Sequence, residues 1–463
     1  MSTQRQESVP GEPRPGGGTT AAGGAPAARG ARGGGRGRRA RARLAAVAAL
    51  ALAAPLALGA CSADHSAKAS GSDADAVSVA PASGDKPVDP SKRLVVTAAH
   101  GDLADVTVTA DDGSRVTGSL SADDRTWRAT ELLGAGRRYT VRVITDGGSD
   151  GFSTTVRSFR TTAASHLLTA QLSPSDGDVY GVGEPITVAL SEPVHDPAAR
   201  AQVERGLTVQ SSPSVTGAWY WVDDKTLHFR PQTYWPANAT ISASFDLHGQ
   251  RIGGPTSTLY AGAPSHIAFR TGDSLIAVTD VASDEMKVYR DGRLIRTVPV
   301  TTGKAGFRTR NGIKVVLEKA PVVFMNSSTV GIAAGSSNAY AMNVYWDTRV
   351  TWSGEYVHAA PWSEGSQGVA NVSHGCTGLS VANAEWFYHT VRRGDVVQVV
   401  HGLGKQMEDF GNGFGDWNVG WKQWLTGSAL HRTVRTSPHV QTGGGSAAAE
   451  QTSLTTGYLK PQA

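Results

Sequence analysis

The stretch 371–380, Asn-Val-Ser-His-Gly-Cys-Thr-Gly-Leu-Ser, contains Cys376, one of only two cysteines in a chain of 463 residues. A thiol is a good nucleophile only as a thiolate, and a free cysteine needs a cation or a base beside it to ionise near neutral pH. Two imidazoles are candidates: His374 lies two residues before the cysteine, and His358 lies further upstream, at the end of a predicted strand. Gly375 allows a tight turn and lets a carbonyl group approach the backbone N–H groups of the turn, which are natural oxyanion donors. The stretch therefore predicts a loop built around a reactive sulfur.

This combination of one cysteine with histidines favours acyl transfer through a thioester. One alternative is a chance pair of residues in a loop. Another is a zinc site made of one cysteine and two histidines, but the chain contains neither a C-x-x-C nor an H-E-x-x-H spacing. The sequence thus predicts a cysteine enzyme that needs no metal ion and no organic cofactor.

Residues 1–60 are typical of an export signal. An arginine-rich block at 29–43 precedes an uncharged run at 44–58, which is too short to span about 30 Å of hydrocarbon comfortably as a helix. Leu-Gly-Ala-Cys follows, ending at Cys61, and resembles the bacterial lipobox, whose cysteine becomes the lipidated first residue of the mature chain. An ordinary signal peptide with a chance cysteine is the alternative. We expect a lipoprotein on the outer face of the cell membrane, in which Cys376 is a single free thiol.

The basic charge of the chain comes from this signal. The full sequence has a formal charge of +4 at pH 7 and a pI of about 9.0. Residues 1–60 contain nine arginines and only two acidic residues, so the remaining chain is mildly acidic. The pI is therefore no argument for nucleic-acid binding, and we expect no nucleic-acid partner.

The remaining sequence indicates a mostly β protein. Short stretches of period-two alternation, separated by turn signals, indicate two successive β-sandwiches. A third, β-rich unit follows with one main helix, which Ser380 caps and Gly394 ends. The expected boundaries are 61–92 for a flexible tether, 93–165 and 166–272 for the sandwiches, 273–402 for the third unit, 403–431 for a Trp-rich subdomain packed on that unit, and 432–463 for a disordered tail.

An aromatic cluster in the second sandwich has two interpretations. Its members are Trp219, Tyr220, Trp221, Phe229, Tyr234 and Trp235. Such rings form a platform for carbohydrate in some proteins, but more often they fill a core or a contact between domains. We expect the structural role.

The motifs around the two candidate groups resemble a known family. His358, followed by Ser-His-Gly-Cys at 373–376, resembles the active-site signature of the L,D-transpeptidase catalytic domain of the YkuD type. The resemblance continues at 358–363, 367–368, 371, 384–388, 415–418 and 421–424. The chain is similar to the mycobacterial type, in which two immunoglobulin-like domains precede the catalytic domain. The resemblance implies immunoglobulin-like domains at 93–165 and 166–272 and a catalytic domain at 273–402.

The resemblance implies an enzyme that crosslinks peptidoglycan and is a target of carbapenems. Cys376 would attack the carbonyl of the third residue of a donor tetrapeptide stem, and the terminal D-Ala would leave. An amine on the third residue of another stem would then resolve the thioester and give a 3→3 crosslink. The expected partners are stem peptides and, through a lipid on Cys61, the membrane; the chain would act as a monomer in the cell wall.

The resemblance also implies roles for single residues. His358 would be the general base and acid that forms an ion pair with Cys376, and the backbone carbonyl of Ala359 would orient its ring. The other implied positions are Gly375 in the oxyanion region, His374 as a supporting residue, and Tyr340, Ser353, Gly354 and Gly378 as substrate-binding residues.

Position 378 departs from the family, which usually has Asn two residues after the nucleophile, where the amide helps to bind substrate. Asn371 and Asn343 are the candidates to replace that amide.

Three functions follow from these considerations. The first is an L,D-transpeptidase, the second an L,D-carboxypeptidase or hydrolase in which water resolves the same thioester, and the third a non-catalytic wall-binding lipoprotein in which Gly378 has disabled the site.

Overall fold

The computed structural model describes residues 77–81 and 86–438. The predicted export signal, the lipidation site Cys61 and the end of the predicted tail lie outside the described residues. Within those two ranges, no helix is long and apolar enough to cross a membrane.

The first β-sandwich begins earlier in the chain than expected. Its strands are β1 (Val77–Ala80), β2 (Val95–Ala98), β3 (Asp102–Ala110), β4 (Gly118–Leu120), β5 (Thr126–Ala129), β6 (Arg138–Asp146) and β7 (Phe152–Arg160). They form a sheet in the order β1-β2-β5-β4 and a sheet in the order β3-β6-β7. Val77 pairs with Ala98 and is buried, and Val88 is buried with its N–H donating to Arg160 at 2.8 Å. These residues differ from the expected tether because apolar side chains here complete the sandwich core.

The second β-sandwich also contains a helix that the sequence did not predict. Its strands are β8 (His166–Leu168), β9 (Ala170–Ser173), β10 (Val179–Tyr180), β11 (Ile186–Leu190), β12 (Leu207–Ser212), β13 (Thr216–Trp221), β14 (Thr226–Pro231), β15 (Thr240–Phe245), β16 (Leu259–Ala261) and β17 (Ser265–Thr271). The sheets run β10-β17-β15-β12 and β13-β14-β11-β9, and β16 pairs with β8. Helix α1 (Pro197–Arg205) starts where the Asp196 carboxylate accepts the N–H of Ala199 at 2.7 Å. An N-cap aspartate followed by proline is a start signal that could have predicted this helix.

The aromatic cluster fills the core of this second sandwich. Trp219, Phe229 and Trp235 are buried, with ring centroids of Trp219 and Phe229 5.2 Å apart. Tyr220 instead meets rings from the C-terminal part of the chain, including Trp424 at 4.9 Å. The structural interpretation of the cluster is therefore confirmed.

The third unit packs two sheets and a helix around one core. Its elements are β18 (Leu275–Asp280), β19 (Glu285–Arg290), β20 (Arg293–Pro299), β21 (Gly312–Val315), β22 (Glu318–Asn326), β23 (Ala341–Arg349), β24 (Tyr356–Ala359), β25 (Thr377–Leu379), β26 (Val396–Val400) and helix α2 (Val381–Thr390). The sheets run β20-β19-β18-β26-β21 and β22-β23-β24-β25. The Ser380 side chain caps α2 by accepting the N–H of Asn383, and Phe387 of α2 is buried in the shared core. The expected β-rich unit with one main helix is confirmed.

The chain then forms a segment, 403–438, that we call the C-terminal strap. It contains helix α3 (Trp421–Trp424) and strand β27 (Val434–Arg435). Phe414 packs with Val315 and Leu317 of the third unit, as expected. Short 3₁₀ helices in the described residues are Gly148–Asp150, Ser327–Val330, Pro361–Ser366, Asp416–Asn418 and Leu425–Gly427.

The strap also binds the second sandwich, which the prediction of packing on the third unit alone did not include. The Nε1–H of Trp424 donates to the Ala218 carbonyl at 2.9 Å, and β27 pairs antiparallel with β13. Arg230 of β14 is buried, with its guanidinium 4.5 Å from the ring centroid of Trp424. Residues 432–438 therefore differ from the expected disordered tail, because they extend a sheet of the sandwich.

Candidate active site

Strands β24 and β25 place His358 and Cys376 on one face of the four-stranded sheet. These strands are parallel neighbours, with His358 paired to Gly378. Val357 and Ala359 belong to the core shared with α2, so the intervening imidazole points to the opposite face of the pleated strand. Cys376 immediately precedes β25 and lines the same cavity, of about 280 Å³, as His358. The structure thus brings together the two groups on which the sequence argument depends.

The backbone of β24 and the residues before it contact the sulfur. The thiol of Cys376 is half-buried and donates to the Gly354 carbonyl at 3.5 Å. The N–H of Tyr356 also donates to the sulfur. Two peptide groups, separated by Glu355, therefore hold the sulfur at the cavity wall.

His358 has a defined tautomer. Its Nδ1 lies 2.8 Å from the Ala359 carbonyl oxygen, which can only accept, so Nδ1 carries the proton. The other ring nitrogen, Nε2, then has a free lone pair and can serve as a base. The ring is 5% exposed and stacks on Trp362 with centroids 6.0 Å apart. This arrangement has the geometry that the resemblance implied for the carbonyl of Ala359.

Burial favours the neutral forms of both groups in the free site. It raises the pKa of Cys376 to about 12, and the Glu355 carboxylate raises that pKa further while the Tyr356 N–H and the Lys314 ammonium oppose the rise. Burial also lowers the pKa of His358 to about 4, against the bond from Nδ1 to the Ala359 carbonyl. Burial of the two groups opposes the charges of the expected ion pair, which stays a prediction.

His374 lies in an aromatic wall of the cavity. Its ring sits between Phe307, at 4.8 Å between centroids, and Tyr340, at 5.3 Å. Its Nε2 lies 3.4 Å from the Asn338 side-chain oxygen, and burial together with the nearby Lys304 ammonium lowers its pKa. The imidazole forms part of the cavity wall beside Tyr340, and its supporting role stays a prediction.

Gly375 turns the chain just before the nucleophile, with a φ of 122° that favours glycine. Its N–H donates to the Ser373 hydroxyl at 3.1 Å, and its carbonyl accepts from the Thr309 hydroxyl at 2.9 Å. The Ser373 hydroxyl in turn donates to the Cys376 carbonyl at 2.6 Å. The expected oxyanion donor is thus engaged within the turn, where it fixes the loop.

The implied substrate-binding positions separate into two groups. Tyr340 and Gly378 line the cavity. Ser353 is exposed, and its N–H donates to the Asn412 side chain at 2.7 Å, while Gly354 contacts the sulfur through its carbonyl. Ser353 and Gly354 therefore lie behind and beside the sulfur, outside the residues that line the cavity.

The position of the missing asparagine is crowded. A Cβ at Gly378 would lie 2.9 Å from Cβ of Ala360 and 3.1 Å from Cγ2 of Thr301. Neither candidate replacement lines the cavity: the Asn371 side-chain oxygen accepts the N–H of Thr302 at 2.7 Å, and Asn343 is exposed on β23. Glycine at this position matches its surroundings, because a side chain would collide with two neighbouring residues.

Sequence reasoning gave no role to Ser363, whose hydroxyl lines the cavity near Gly378. Its oxygen would lie 3.8 Å from a Cβ at position 378 and donates to the Ala360 carbonyl at 3.2 Å. The residue is inside the stretch that carried the resemblance, at 358–363, so the motif contained the signal.

Two sets of buried charges were also missed. Lys314 of β21 pairs with Glu355, which precedes β24. Asp347 of β23 is buried, both of its carboxylate oxygens lack a hydrogen-bond partner in the described part of the chain, and burial raises its pKa to about 7. Thr348 of β23 pairs with Val357 of β24, and the strands are antiparallel. In this register the next position of β23, Asp347, lies opposite His358. A lysine within an apolar strand was the available signal, but its partner Glu355 lies in the turn before a strand of the other sheet.

Within the described ranges, no group of three or more His, Cys, Asp or Glu residues is arranged to hold a metal ion. The cavity groups are a thiol, two imidazoles, hydroxyls and apolar side chains, including Met325, Met342 and Val344 of the β22–β23 hairpin. Chemically, this set is suited to covalent acyl transfer with one sulfur nucleophile and one imidazole base.

Comparisons with known proteins agree with this class of enzyme. Residues 274–399 match the family of the L,D-transpeptidase catalytic domain, and residues 85–251 match the bacterial Ig domain family. The chain is 37% identical over 334 residues to L,D-transpeptidase 2 of Mycobacterium tuberculosis strain CDC 1551 / Oshkosh, which covers 72% of this chain and 80% of that protein. The chain therefore belongs to the L,D-transpeptidase family of peptidoglycan-crosslinking acyltransferases, with an immunoglobulin-like region before the catalytic domain.

Other relatives show the same relationship. L,D-transpeptidase 5 of Mycobacterium tuberculosis strain ATCC 25618 / H37Rv is 32% identical over 357 residues, which cover 76% of each protein. The solved structure of LD transpeptidase LdtMt1 in complex with imipenem is 36% identical, with a TM-score of 0.43, and covers 50% of this chain and 99% of that one.

Proposed function

We propose that Cys376 and His358 carry out the crosslinking reaction through a thioester on the sulfur. The observation that carries this proposal is the shared cavity, in which the Nδ1 proton of His358 is committed to the Ala359 carbonyl and Nε2 is left as the base. Nε2 takes the thiol proton while the sulfur attacks the carbonyl of the third residue of a donor stem. The bond to the terminal D-Ala breaks, and the imidazolium gives its proton to the departing amine.

The second half of the reaction uses the same two groups. The side-chain amine of another stem attacks the thioester, and His358 accepts a proton from the attacking nitrogen. The C–S bond breaks, a 3→3 amide forms, and the proton returns to the sulfur of Cys376. Because burial keeps both groups neutral in the free site, the proton leaves the thiol during attack rather than beforehand.

The cavity suits a peptide that presents apolar groups to one wall and polar groups to the other. One wall is apolar and comes from the β22–β23 hairpin, while Tyr340, Ser363 and the edge at Gly378 supply the polar wall. We assign substrate contacts to these three residues. Gly354 positions the sulfur through its carbonyl, and Ser353 supports that turn through its bond to Asn412.

We also propose that the chain is exported and anchored by a lipid on Cys61, with the two sandwiches carrying the catalytic domain from the membrane into the wall as a monomer. The support is the arginine block, the short apolar run and the lipobox-like residues before Cys61. Metabolic labelling with a fatty acid tests the anchor. Wild-type chain should carry the label, and Cys61→Ser should lose it; equal labelling of both would refute the anchor.

Incubation of the protein with purified tetrapeptide stems tests the reaction. We expect crosslinked dimers together with released D-Ala, and Cys376→Ala should yield neither. Tripeptides without dimers would show that water resolves the thioester and would contradict a transpeptidase. A mass increase of the wild-type chain with a carbapenem, absent in Cys376→Ala, tests the sulfur separately from the stem peptides.

A further inference from the structure

A cluster of buried charges lies directly behind the nucleophile. Lys314 is 1% exposed and Glu355 is 5% exposed, and the ammonium lies 2.5 Å from Oε2 of the carboxylate. Oε1 accepts the backbone N–H of Arg310 at 3.0 Å and its guanidinium at 3.1 Å. The guanidinium continues to Glu408, with Nε 2.9 Å from Oε2. The carboxylate of Glu355 is therefore held by two cations from the strand β21 region.

Glu355 is also the residue whose two peptide groups touch the sulfur. Its N-terminal neighbour Gly354 accepts from the thiol at 3.5 Å, and its C-terminal neighbour Tyr356 donates its N–H to the sulfur. The N–H of Glu355 itself donates to the Thr351 hydroxyl at 2.8 Å. Side chain and backbone together fix this residue, so the cluster determines where the sulfur sits.

The two charges of the pair act on the sulfur in opposite directions. The Lys314 ammonium favours the thiolate, whereas the Glu355 carboxylate disfavours it. Burial lowers the pKa of Lys314, and the Glu355 carboxylate and the thiolate oppose that shift and favour the charged ammonium. A buried ion pair is weak evidence for stability, since apolar side chains of similar volume often replace such pairs without loss. The location of the pair beside the nucleophile points to a role in the reactivity of the sulfur rather than in stability.

Other charged or titratable groups face the sulfur from the elements packed around it. Those that act on the thiol or line its cavity are Asp347 of β23, Tyr340 before β23, Tyr356 and His358 of β24, and His374 with its neighbour Lys304. The Asp347 carboxylate disfavours the thiolate, as Glu355 does. Lys314 is the buried cation that opposes both carboxylates.

We propose that Lys314 and Glu355 form a positioning pair for Cys376: Glu355 fixes the two peptide groups that hold the sulfur, and Lys314 supplies the positive charge that stabilises the sulfur as its proton leaves. The pair touches neither substrate nor the reacting carbonyl. This inference rests on the proposed role of Cys376 as the nucleophile.

The test is the rate at which iodoacetamide alkylates Cys376 in the full chain between pH 6 and pH 9, followed by mass spectrometry of the peptide that contains this cysteine. Lys314→Met removes the cation, and the rate at a fixed pH should fall about tenfold, which corresponds to about one pKa unit. Glu355→Gln keeps the shape of the side chain and removes the carboxylate that disfavours the thiolate, so the rate should rise. The rise should be smaller than about tenfold, because the same carboxylate helps to keep the buried Lys314 charged. The double variant should return close to the wild-type rate.

A merely structural role would not make one single variant react more slowly and the other faster. It would also not return the double variant to the wild-type alkylation rate. If both single variants slow alkylation and the double variant slows it most, or if all rates stay unchanged, the pair does not act on the sulfur. Asp416→Asn is the matched control, because it removes a buried carboxylate that pairs with His228 at 2.6 Å at the strap. Its alkylation profile should match wild type.

The stem-peptide assay separates this proposal from the proposed function. If the variants shift alkylation as expected but the wild-type chain makes no dimers, the positioning pair stands and the transpeptidation proposal fails. If the wild-type chain makes dimers and the alkylation profiles do not move, the positioning pair alone is refuted. Thermal melting of each variant shows whether a slow rate comes from unfolding, and the double variant, free of an unpaired buried charge, keeps the comparison decisive.

Discussion

The imidazole Nδ1 of His358 lies 2.8 Å from the backbone oxygen of Ala359, the residue that follows it on the same strand. A backbone carbonyl thus does the orienting work that a carboxylate does in a catalytic triad. Because the orienting group carries no charge, it adds little support to an imidazolium, and burial lowers the pKa of His358 to about 4. This single relationship leads to the first two predictions.

Replacement of the two histidines should separate their roles. His358→Ala removes the base, and the rate of acylation by a carbapenem should fall about 100- to 10,000-fold. His374→Gln keeps a polar side chain beside Asn338 and should lower the rate far less, by roughly tenfold or less. Intact-protein mass spectrometry at timed intervals measures both rates. Equal losses in the two variants would contradict the assignment of His358 as the base.

The acylation rate should be nearly flat between pH 5 and pH 7. The pKa of His358 is lowered to about 4, so the ring stays in its basic form over this range, and the pKa of Cys376 is raised to about 12, so the thiol stays protonated. An imidazole with an ordinary pKa near 6.5 would instead lose roughly twentyfold in rate on going from pH 7 to pH 5. A tenfold rise in rate per pH unit would indicate attack by a preformed thiolate without help from the ring.

Alanine at position 378 should destabilise the protein. The new Cβ would lie 2.9 Å from Cβ of Ala360, and overpacking of this kind costs about 1–3 kcal/mol. The second-site variant Ala360→Gly should restore part of the loss, because it removes the closest atom. Gly365→Ala is the matched control, since no atom lies within 4 Å of its added Cβ. Thermal melting measures all four chains, and a neutral effect of Gly378→Ala would contradict the crowding argument.

Asp347→Asn should stabilise the protein at neutral and basic pH. The folded-state pKa of Asp347 is raised to about 7 from 3.8, so the folded chain holds a proton that the unfolded chain releases. Stability contributed by this protonated group is full below pH 4 and is lost as the pH rises through 7. The gain from the variant should therefore begin just above pH 4, grow by roughly 1.4 kcal/mol per pH unit, and level off near pH 7. A gain of equal size at both pH values would refute this explanation.

Removal of the Trp424 side chain should destabilise the second sandwich as well as the strap. This ring is fully buried between the strap and the second sandwich, and Trp424→Ala should cost about 3–5 kcal/mol. Phe152→Ala is the aromatic control, because this ring is 71% exposed and should matter little. Denaturant unfolding measures the difference, and a small loss for Trp424→Ala would show that the strap does not hold the two domains together.

Much of the fold could be predicted from local patterns. Strands β11, β15 and β26 form where the sequence has the period-two or apolar pattern of a buried strand. Strand β27 could not be predicted in this way: two residues in a polar segment become a strand only because β13 offers them a free edge. Its formation depends on tertiary contact, which periodicity does not contain.

The active-site residues also divide into those that the local sequence predicts and those that only the fold brings together. The pairing of a cysteine with a histidine, and the turn at Gly375, follow from residue types that chemistry requires in a short stretch. The pairing of Lys314 with Glu355 does not, because Lys314 lies on β21 while Glu355 precedes a strand of the other sheet, and nothing in their spacing brings them together. Ser353 does not line the cavity, and its N–H donates to the Asn412 side chain in the strap, so its role at the substrate stays a prediction.

The pairing of β27 with β13 has a mechanical consequence. The chain leaves the second sandwich at β17, builds the whole catalytic domain, and then returns to a sheet of the same sandwich. The catalytic domain is therefore attached to its neighbour at both ends, so it does not rotate freely about a single linker. A force applied to the second sandwich would therefore reach the catalytic domain through two points of attachment.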